Sequence, residues 1–336
     1  MVETSRRAFM LATAGAAVAA GVKSAQAAGE GGLRLVSFER KGQPGMRAGV
    51  VIAGEKVVDL VDAKKAGVAL DFDPSSMIAL IAAGAPALAQ VRAVAAKPGA
   101  TLALADVSLH SPIPRPPRNI FAVGWNYLEH FNESETAQKT AQQNYPEHPV
   151  FFSKASHSMN GPFDPIPFDP AVSTLIDWEG ELAVVIGKGG RNIKEAEAMN
   201  HVFGYSVMND TTARDVQAKK HGGQWFKGKS LDGHGPMGPW IVTADALDPD
   251  KLHLQTRVNG VVKQDAKTTQ MYFKIPRIIA ELSLGLTLEP GDVIATGTPP
   301  GVGNARKPPE YLKPGDVMET EIEGIGIIRN TITQVA

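Results

Sequence analysis

Two glutamates one residue apart, Glu179 and Glu181 in Asp177-Trp178-Glu179-Gly180-Glu181, run directly into the apolar stretch Leu182-Ala183-Val184-Val185-Ile186. An unbroken apolar run of this length reads as a buried strand. Alternate strand residues project to the same side, so the two carboxylates share a face, where like charges repel unless something positive lies between them. A metal ion meets that need. The stretch Gly204-Tyr205-Ser206-Val207-Met208-Asn209-Asp210 reads as a second strand ending in a third carboxylate. Three oxygen donors without a thiolate suit a hard cation, Mg2+ first, then Mn2+ or Ca2+.

The chain has 336 residues, ample for a sizeable core and for a main domain with a smaller attachment. Apolar residues make up 43% and charged residues 21%, ordinary globular values that exclude disordered and fibrous classes. With 34 glycines, 24 prolines and short apolar runs, strands joined by turns dominate, so the expected class is α+β and β-rich. The absence of cysteine removes disulfides, thiolate metal sites and a cysteine nucleophile.

Ser5-Arg6-Arg7-Ala8-Phe9-Met10, an Ala-rich apolar stretch and Ala25-Gln26-Ala27 together look like a twin-arginine export signal over residues 1–27. The apolar stretch is shorter than the ~20 residues that span a bilayer. The expected destination is the periplasm, with transient contact with the export machinery and no stable membrane anchor. Loss of residues 1–27 removes Arg6, Arg7, Lys23 and Glu3, leaving 31 basic and 34 acidic residues and a net charge of −3. That balance offers no basic surplus for nucleic acid, and no second apolar stretch is expected to be long enough to cross a membrane.

Residues 33–110 read as a small N-terminal domain of short strands, Leu33 to Phe38, Ala48 to Ile52 and Val57 to Leu60, with two helices. The first helix is capped at Ser75-Ser76 and runs through Ile81; the second runs from Pro86 to Ala96. The proline-rich Ser111 to Pro117 gives a stiff connection, and residues 118–336 form the main domain. Eight strand candidates there, with one helix around Ile275 to Leu284, imply a β-roll or barrel. Leu288-Glu289-Pro290-Gly291-Asp292 and Leu312-Lys313-Pro314-Gly315-Asp316 both predict type II turns feeding a strand.

Glu-x-Glu alone is weak, since alternating acids on an exposed strand are common. Lys229 and the loop Gly297-Thr298-Pro299-Pro300-Gly301-Val302-Gly303 look substrate-facing, the loop because its glycines let backbone N–H groups approach an anion. A surface lysine and a plain turn are the bland alternatives. His130 and Glu133 stand three apart, neighbours on a helical turn, the spacing of a base and its orienting carboxylate. His148, His157, His221 and His234 have no partner at a useful spacing.

The order of the pieces is more specific than any one of them: Gly124-x-Asn126-Tyr127-x-x-His130-x-x-Glu133, Glu179-x-Glu181-Leu182, Asn209-Asp210-x-Thr212-Ala213-Arg214-Asp215-x-Gln217, Lys229-Ser230, Gly235-Pro236-x-Gly238-Pro239 and Gly297-Thr298-Pro299-x-Gly301-Val302-Gly303. Together they resemble the fumarylacetoacetate hydrolase family from about Arg118 to the C-terminus. The resemblance implies the family's mixed β-roll, a homodimer, and Glu179, Glu181 and Asp210 as ligands of Mg2+ or Mn2+. It also implies His130, Glu133 and Lys229 as catalytic residues, and Asn126, Tyr127, Arg214, Gln217 and Thr298 as substrate contacts. Asn126, where fumarylacetoacetase proper has an extra acid, brings the chain closer to the acylpyruvate hydrolase branch. The polar segment from Ser134 to Pro146 would extend the lid.

The expected reaction is hydrolysis of the carbon–carbon bond of a 2,4-dioxo acid to pyruvate and a carboxylic acid. His130 would activate the attacking water, and Lys229 would add charge at the 2-oxo oxygen. Decarboxylation of oxaloacetate or a related 2-oxo diacid, or tautomerisation or hydration of a 2-oxo-enoate of the 2-oxo-heptenedioate type, uses the same metal and enolate without that water, and is the alternative. A binding protein for metal or carboxylate without turnover is the reading from another class.

Overall fold

The computed structural model describes residues 32–133 and 145–335. The expected export signal and most of the expected lid extension lie outside the described residues. The architecture is strand-rich α+β, as expected, but the largest sheet is open and not a closed barrel. Its 12 strands run from the edge strand Leu102–Ala103 to the opposite edge strand Val150–Lys154.

The middle of that sheet is the pair Gly180–Ile186 and Val202–Asn209, antiparallel, with Gly180 opposite Asn209 and Leu182 opposite Val207. Every residue of Gly180–Ile186 is buried, which is why the sequence after Glu181 is continuously apolar and does not alternate. Two glycines are forced by packing here. A Cβ on Gly204 would stand 2.3 Å from the Val242 carbonyl oxygen, and one on Gly180 would stand 2.2 Å from Thr256 Oγ1. Thr256 belongs to a five-stranded sheet of Val261–Lys267, His253–Val258, Val317–Ile322, Gly326–Gln334 and Ile166–Phe168, which closes over the end of the central pair that carries Glu179.

Residues 33–110, expected as a small separate domain, add their strands to the same large sheet: Arg34–Arg40 pairs with Gly235–Thr243, Arg34 opposite Val242. The helix Met77–Ala96 is capped by Ser76, whose Oγ accepts the Ala79 N–H at 3.1 Å. Gly84 at φ 65 divides it, just before Pro86, at the break the two expected helices imply. Against expectation, this stretch of 20 residues with mean hydropathy 1.6 is long and apolar enough to cross a membrane. Its fully buried Leu80, Ile81 and Val91 join one core cluster with Val50, Val58 and Ile241 of the sheet, and that packing accounts for its composition. Both Pro-Gly turns form as expected, with Gly291 and Gly315 at φ 91 and 93. The strands Ile166–Phe168, Val261–Lys267 and Gly326–Gln334 had no counterpart among the expected elements.

His234 enters the strand Gly235–Thr243 and ties it to the Ile166–Phe168 strand, its Nε2 within 2.8 Å of the Pro167 carbonyl oxygen. Nδ1 is buried with no hydrogen-bond partner among the described residues, so the ring is held neutral, and burial pushes its pKa from 6.5 to about 4. Because the folded pKa lies below the unfolded one, the unfolded chain takes up the proton first. The stabilisation is complete above pH 6.5 and is lost as pH falls towards 4, by at most ~3 kcal/mol. Urea unfolding at pH 7.5 and 4.5 should show His234→Gln losing about 2 kcal/mol less than the wild-type protein over that interval. Equal losses would show that His234 does not carry this pH dependence.

Candidate metal centre and active site

Strand register builds the site. With Gly180 opposite Asn209, the Asp210 N–H donates to the Glu179 carbonyl at 2.8 Å, which brings the third carboxylate beside the first. One oxygen from each of Glu179, Glu181 and Asp210 lies within 4.8 Å of the others, and all three side chains are buried. They sit at a cavity of about 940 Å³, which Glu179 and Glu181 line together with His130, Glu133, Arg214, Lys229 and Thr298.

Three cations surround the carboxylates. Lys229, from the short helix Phe226–Lys229, donates from Nζ to Glu179 Oε2 and, at 2.7 Å, to Asp210 Oδ2. It is 2 % exposed, which excludes the surface reading. Arg214 lies 2.7 Å from Glu179 Oε1 through Nη1, and its Nε donates to Asp177 Oδ2 at 2.7 Å. The third cation, Lys154, is fully buried, with Nζ 2.7 Å from Asp210 Oδ1 in an ion pair that lies outside hydrogen-bond alignment.

These contacts divide the carboxylates electrostatically. Burial works to raise the Glu179 pKa, but Lys229 and Arg214 outweigh it and hold the group at about 2, so it is ionised. Burial also works against the Lys229 charge, yet Asp210 and Glu179 hold its pKa above the ordinary lysine value. Burial pushes Lys154 down, against the attraction of Asp210. Glu181 goes the other way: burial raises it well above the carboxylate range, and Asp210 and Glu179 add to the rise. Among the described residues no ion pair reaches Glu181; its Oε2 accepts the Gly297 N–H at 2.8 Å. An oxygen-only cluster with one carboxylate lacking a cation fits a divalent metal ion, which would neutralise that excess.

The opposite wall carries the dyad. His130, on the helix Leu128–Glu133, has Nδ1 2.8 Å from Glu133 Oε1, and Glu133 in turn accepts the Gly301 N–H at 2.9 Å. Gly301 is required there, at φ 102 and with room for no side chain, since a Cβ would stand 2.1 Å from the Lys263 carbonyl oxygen. Thr298 lines the cavity, but its hydroxyl donates to the Gly180 carbonyl at 3.0 Å and accepts from Gln264 at 2.7 Å. Gln217 is nearly buried and accepts from Arg214 at 3.2 Å.

Asn126 and Tyr127, expected to touch substrate, are not among the residues lining the cavity. The Asn126 amide donates to the Phe273 and Thr296 carbonyls at 3.0 and 2.8 Å and accepts the Phe273 N–H at 2.8 Å, so its bonding capacity goes to joining loops. Tyr127 is fully buried in the main core cluster. Sequence reasoning missed two residues. Lys154 closes the strand Val150–Lys154 one residue beyond the expected end at Ser153; a lysine ending a run as apolar as Val150-Phe151-Phe152 was the available signal. Asp177 accepts from Gly303 N–H at 2.7 Å, Asn304 N–H at 2.9 Å and Arg214, so one buried carboxylate fixes both the arginine and the glycine-rich loop.

A buried oxygen cluster that can hold a metal ion, backed by a lysine and faced by a His–Glu dyad on a mixed β fold, defines the class. The chain belongs to the fumarylacetoacetate hydrolase family: the family model described as Fumarylacetoacetate (FAA) hydrolase C-terminal matches residues 119–333. Oxaloacetate tautomerase YisK of Bacillus subtilis is 42% identical over 296 residues, covering 85% of this chain and 96% of its own. Among solved structures, the fumarylacetoacetate hydrolase of Exiguobacterium antarcticum is 40% identical with a TM-score of 0.76, over 90% of this chain and 100% of that one. Maleylpyruvate hydrolase of Sphingobium sp. SYK-6, solved with manganese(II) and pyruvate, is 31% identical with a TM-score of 0.71, over the same shares.

If Glu181 is the ligand awaiting a cation, Glu181→Gln should weaken Mn2+ binding at least about tenfold while leaving the metal-free melting temperature unchanged or higher. Calorimetric titration and thermal melts with and without Mn2+ measure both quantities. Undiminished Mn2+ affinity in the variant would remove Glu181 from the ligand set.

Proposed function

We propose that the protein interconverts the keto and enol forms of oxaloacetate or a close 2-oxo diacid. The observation that carries this reading is the 42% identity to an oxaloacetate tautomerase over 96% of that protein's length. The sequence reading put carbon–carbon hydrolysis first and this proton-transfer chemistry second; the relatives favour the second. Hydrolysis remains the alternative, favoured by the maleylpyruvate hydrolase solved with pyruvate.

Tautomerisation asks the site to move one proton at C3 and to tolerate negative charge on the 2-oxo oxygen. With Nδ1 of His130 turned to Glu133, Nε2 is the ring nitrogen free to exchange that proton. Glu133, itself held by Gly301, orients the ring. The charged Lys229 ammonium stabilises the oxygen as C3 gives up its proton. Arg214 Nη2 is buried without a hydrogen-bond partner among the described residues and is available to a substrate carboxylate. A divalent cation held by Glu179, Glu181 and Asp210 would supply Lewis-acid polarisation of the 2-oxo group, an effect worth several kcal/mol. No step needs an attacking water. Export through the twin-arginine signal and assembly as a homodimer are carried forward as parts of the same proposal.

The test is proton NMR in D2O with Mg2+-loaded protein, following ketonisation of enol-oxaloacetate and deuterium entry at C3, with pyruvate and CO2 scored separately. His130→Ala should slow ketonisation by roughly 10²- to 10⁴-fold and leave Mn2+ affinity unchanged. Pyruvate released from acetylpyruvate, with no acceleration of ketonisation, would transfer the assignment to the hydrolase reading. Silence on both substrates would restore the binding-protein reading.

A further inference from the structure

Each carboxylate of the cluster has one oxygen engaged away from the others. Arg214 Nη1 takes Glu179 Oε1 at 2.7 Å, Lys154 Nζ takes Asp210 Oδ1 at 2.7 Å, and the Gly297 N–H takes Glu181 Oε2 at 2.8 Å. The other oxygens, the ones turned towards the centre of the cluster, are Glu179 Oε2 and Asp210 Oδ2, both of which accept from the Lys229 ammonium that a metal ion would face, and Glu181 Oε1. So the protein offers a cation three single oxygens and no chelating carboxylate.

We propose that Lys154 is a metal-selectivity residue: by claiming Asp210 Oδ1 it keeps this carboxylate a one-oxygen ligand and so favours a small octahedral cation over Ca2+. This rests on the metal-dependent reading of the site. Mg2+ and Mn2+ accept six ligands in near-octahedral array and keep open positions for water or substrate oxygens. Ca2+ is larger, takes six to eight oxygens, and gains most from carboxylates that bind through both. Three monodentate oxygens underfill a Ca2+ shell and leave half of an octahedral one open.

Lys154 is suited to this work. It is 0 % exposed, and it is tied down by more than Asp210, because Nζ also donates to the Lys229 carbonyl and reaches the Thr211 carbonyl at 3.4 Å. Those two carbonyls flank the site on either side, one belonging to the residue after Asp210 and the other to the lysine that faces it. An ammonium fixed by two backbone groups cannot swing away to release Oδ1. Asp210 could turn to offer both oxygens only by breaking a buried ion pair, a rearrangement that leaves a buried charge without its partner. Arg214 and Gly297 impose the same limit on the two glutamates, but Arg214 also lines the cavity, where substrate competes for it. Lys154 does not line the cavity, so its effect on the metal can be measured apart from any effect on substrate.

The test is calorimetric titration of the full-length protein with Mn2+, Mg2+ and Ca2+, for the wild type, Lys154→Met and Lys154→Arg. The wild type should bind Mn2+ at least about tenfold more tightly than Ca2+, and Lys154→Met should narrow the Mn2+ to Ca2+ ratio about tenfold, within the range expected when a partner of a metal ligand is lost. Lys154→Arg, which keeps a buried donor on Oδ1, should retain most of the wild-type ratio. The Mn2+ electron paramagnetic resonance spectrum should change in Lys154→Met and not in Lys154→Arg, a signature that a general loss of packing would not produce. A wild-type protein that binds Ca2+ as tightly as Mn2+ overturns the inference even if Lys154→Met fails to fold, and so does an unchanged ratio in a folded Lys154→Met. If no divalent ion binds the wild type, the metal-dependent reading itself fails.

Discussion

The rest of the site depends on how three buried carboxylates are kept together. Separately, each would cost several kcal/mol to remove from water in ionised form, and side by side they repel. The fold answers with three cations from three different segments: Lys154 at the end of an edge strand, Arg214 at the start of a helix, and Lys229 at the end of another. None is a sequence neighbour of the carboxylate it pairs with. The ion pairs therefore act as long-range ties, and the segments they join are the walls of the cavity. Glu181 is left with a single backbone hydrogen bond and no paired cation, so it is the carboxylate whose charge a bound metal ion would offset most.

Around that centre, a second set of contacts uses carboxylates as clamps on backbone N–H groups. Asp177 holds Gly303 and Asn304 as well as Arg214, and Glu133 holds Gly301 as well as His130. Both ends of the loop that follows Thr298 are thus fixed to residues that also orient a catalytic candidate. The glycines make this possible because their amides approach the carboxylates without a Cβ in the way; at Gly303 a Cβ would stand 2.0 Å from the Glu310 carbonyl oxygen. Dyad, loop and arginine share rigid supports, which is the arrangement that proton transfer at a fixed atom requires.

Much of this was legible in the sequence, and the division has a physical cause. The Glu-x-Glu entry into an apolar strand, the third carboxylate at a strand end, the His–Glu spacing and both Pro-Gly turns are local patterns, set by period and turn chemistry. The break at Gly84 was legible for the same reason. Lys154 was not, because a lysine at a strand end ordinarily reaches solvent, and only tertiary packing shows that this one is enclosed. The bonding of Asn126 was not legible either: the family resemblance implied a contact with substrate, whereas its amide bonds to Phe273 and Thr296, distant in sequence. The place of residues 33–110 in the large sheet was not legible either, since a proline-rich connector does not reveal that the strand Arg34–Arg40 pairs with the strand from Gly235 to Thr243.

Tautomerisation and hydrolysis differ less in their residues than in what must share the cavity with substrate. Both need charge stabilisation at the 2-oxo oxygen, which Lys229 and a cation held by the carboxylate cluster would supply, and both need a base, for which His130 is the candidate. Hydrolysis also needs a water held between that base and a carbonyl at C4. Oxaloacetate carries a carboxylate at C4, whose resonance and negative charge make it a poor electrophile. On such a substrate the base would meet the acidic C3–H first, and proton transfer is the reaction that the proposed constellation would perform. An acylpyruvate presents a ketone at C4, and the water then has an electrophile to attack. The chemistry is therefore chosen as much by the group at C4 as by the protein. That explains how tautomerases and hydrolases occur among proteins similar to this chain over most of their length.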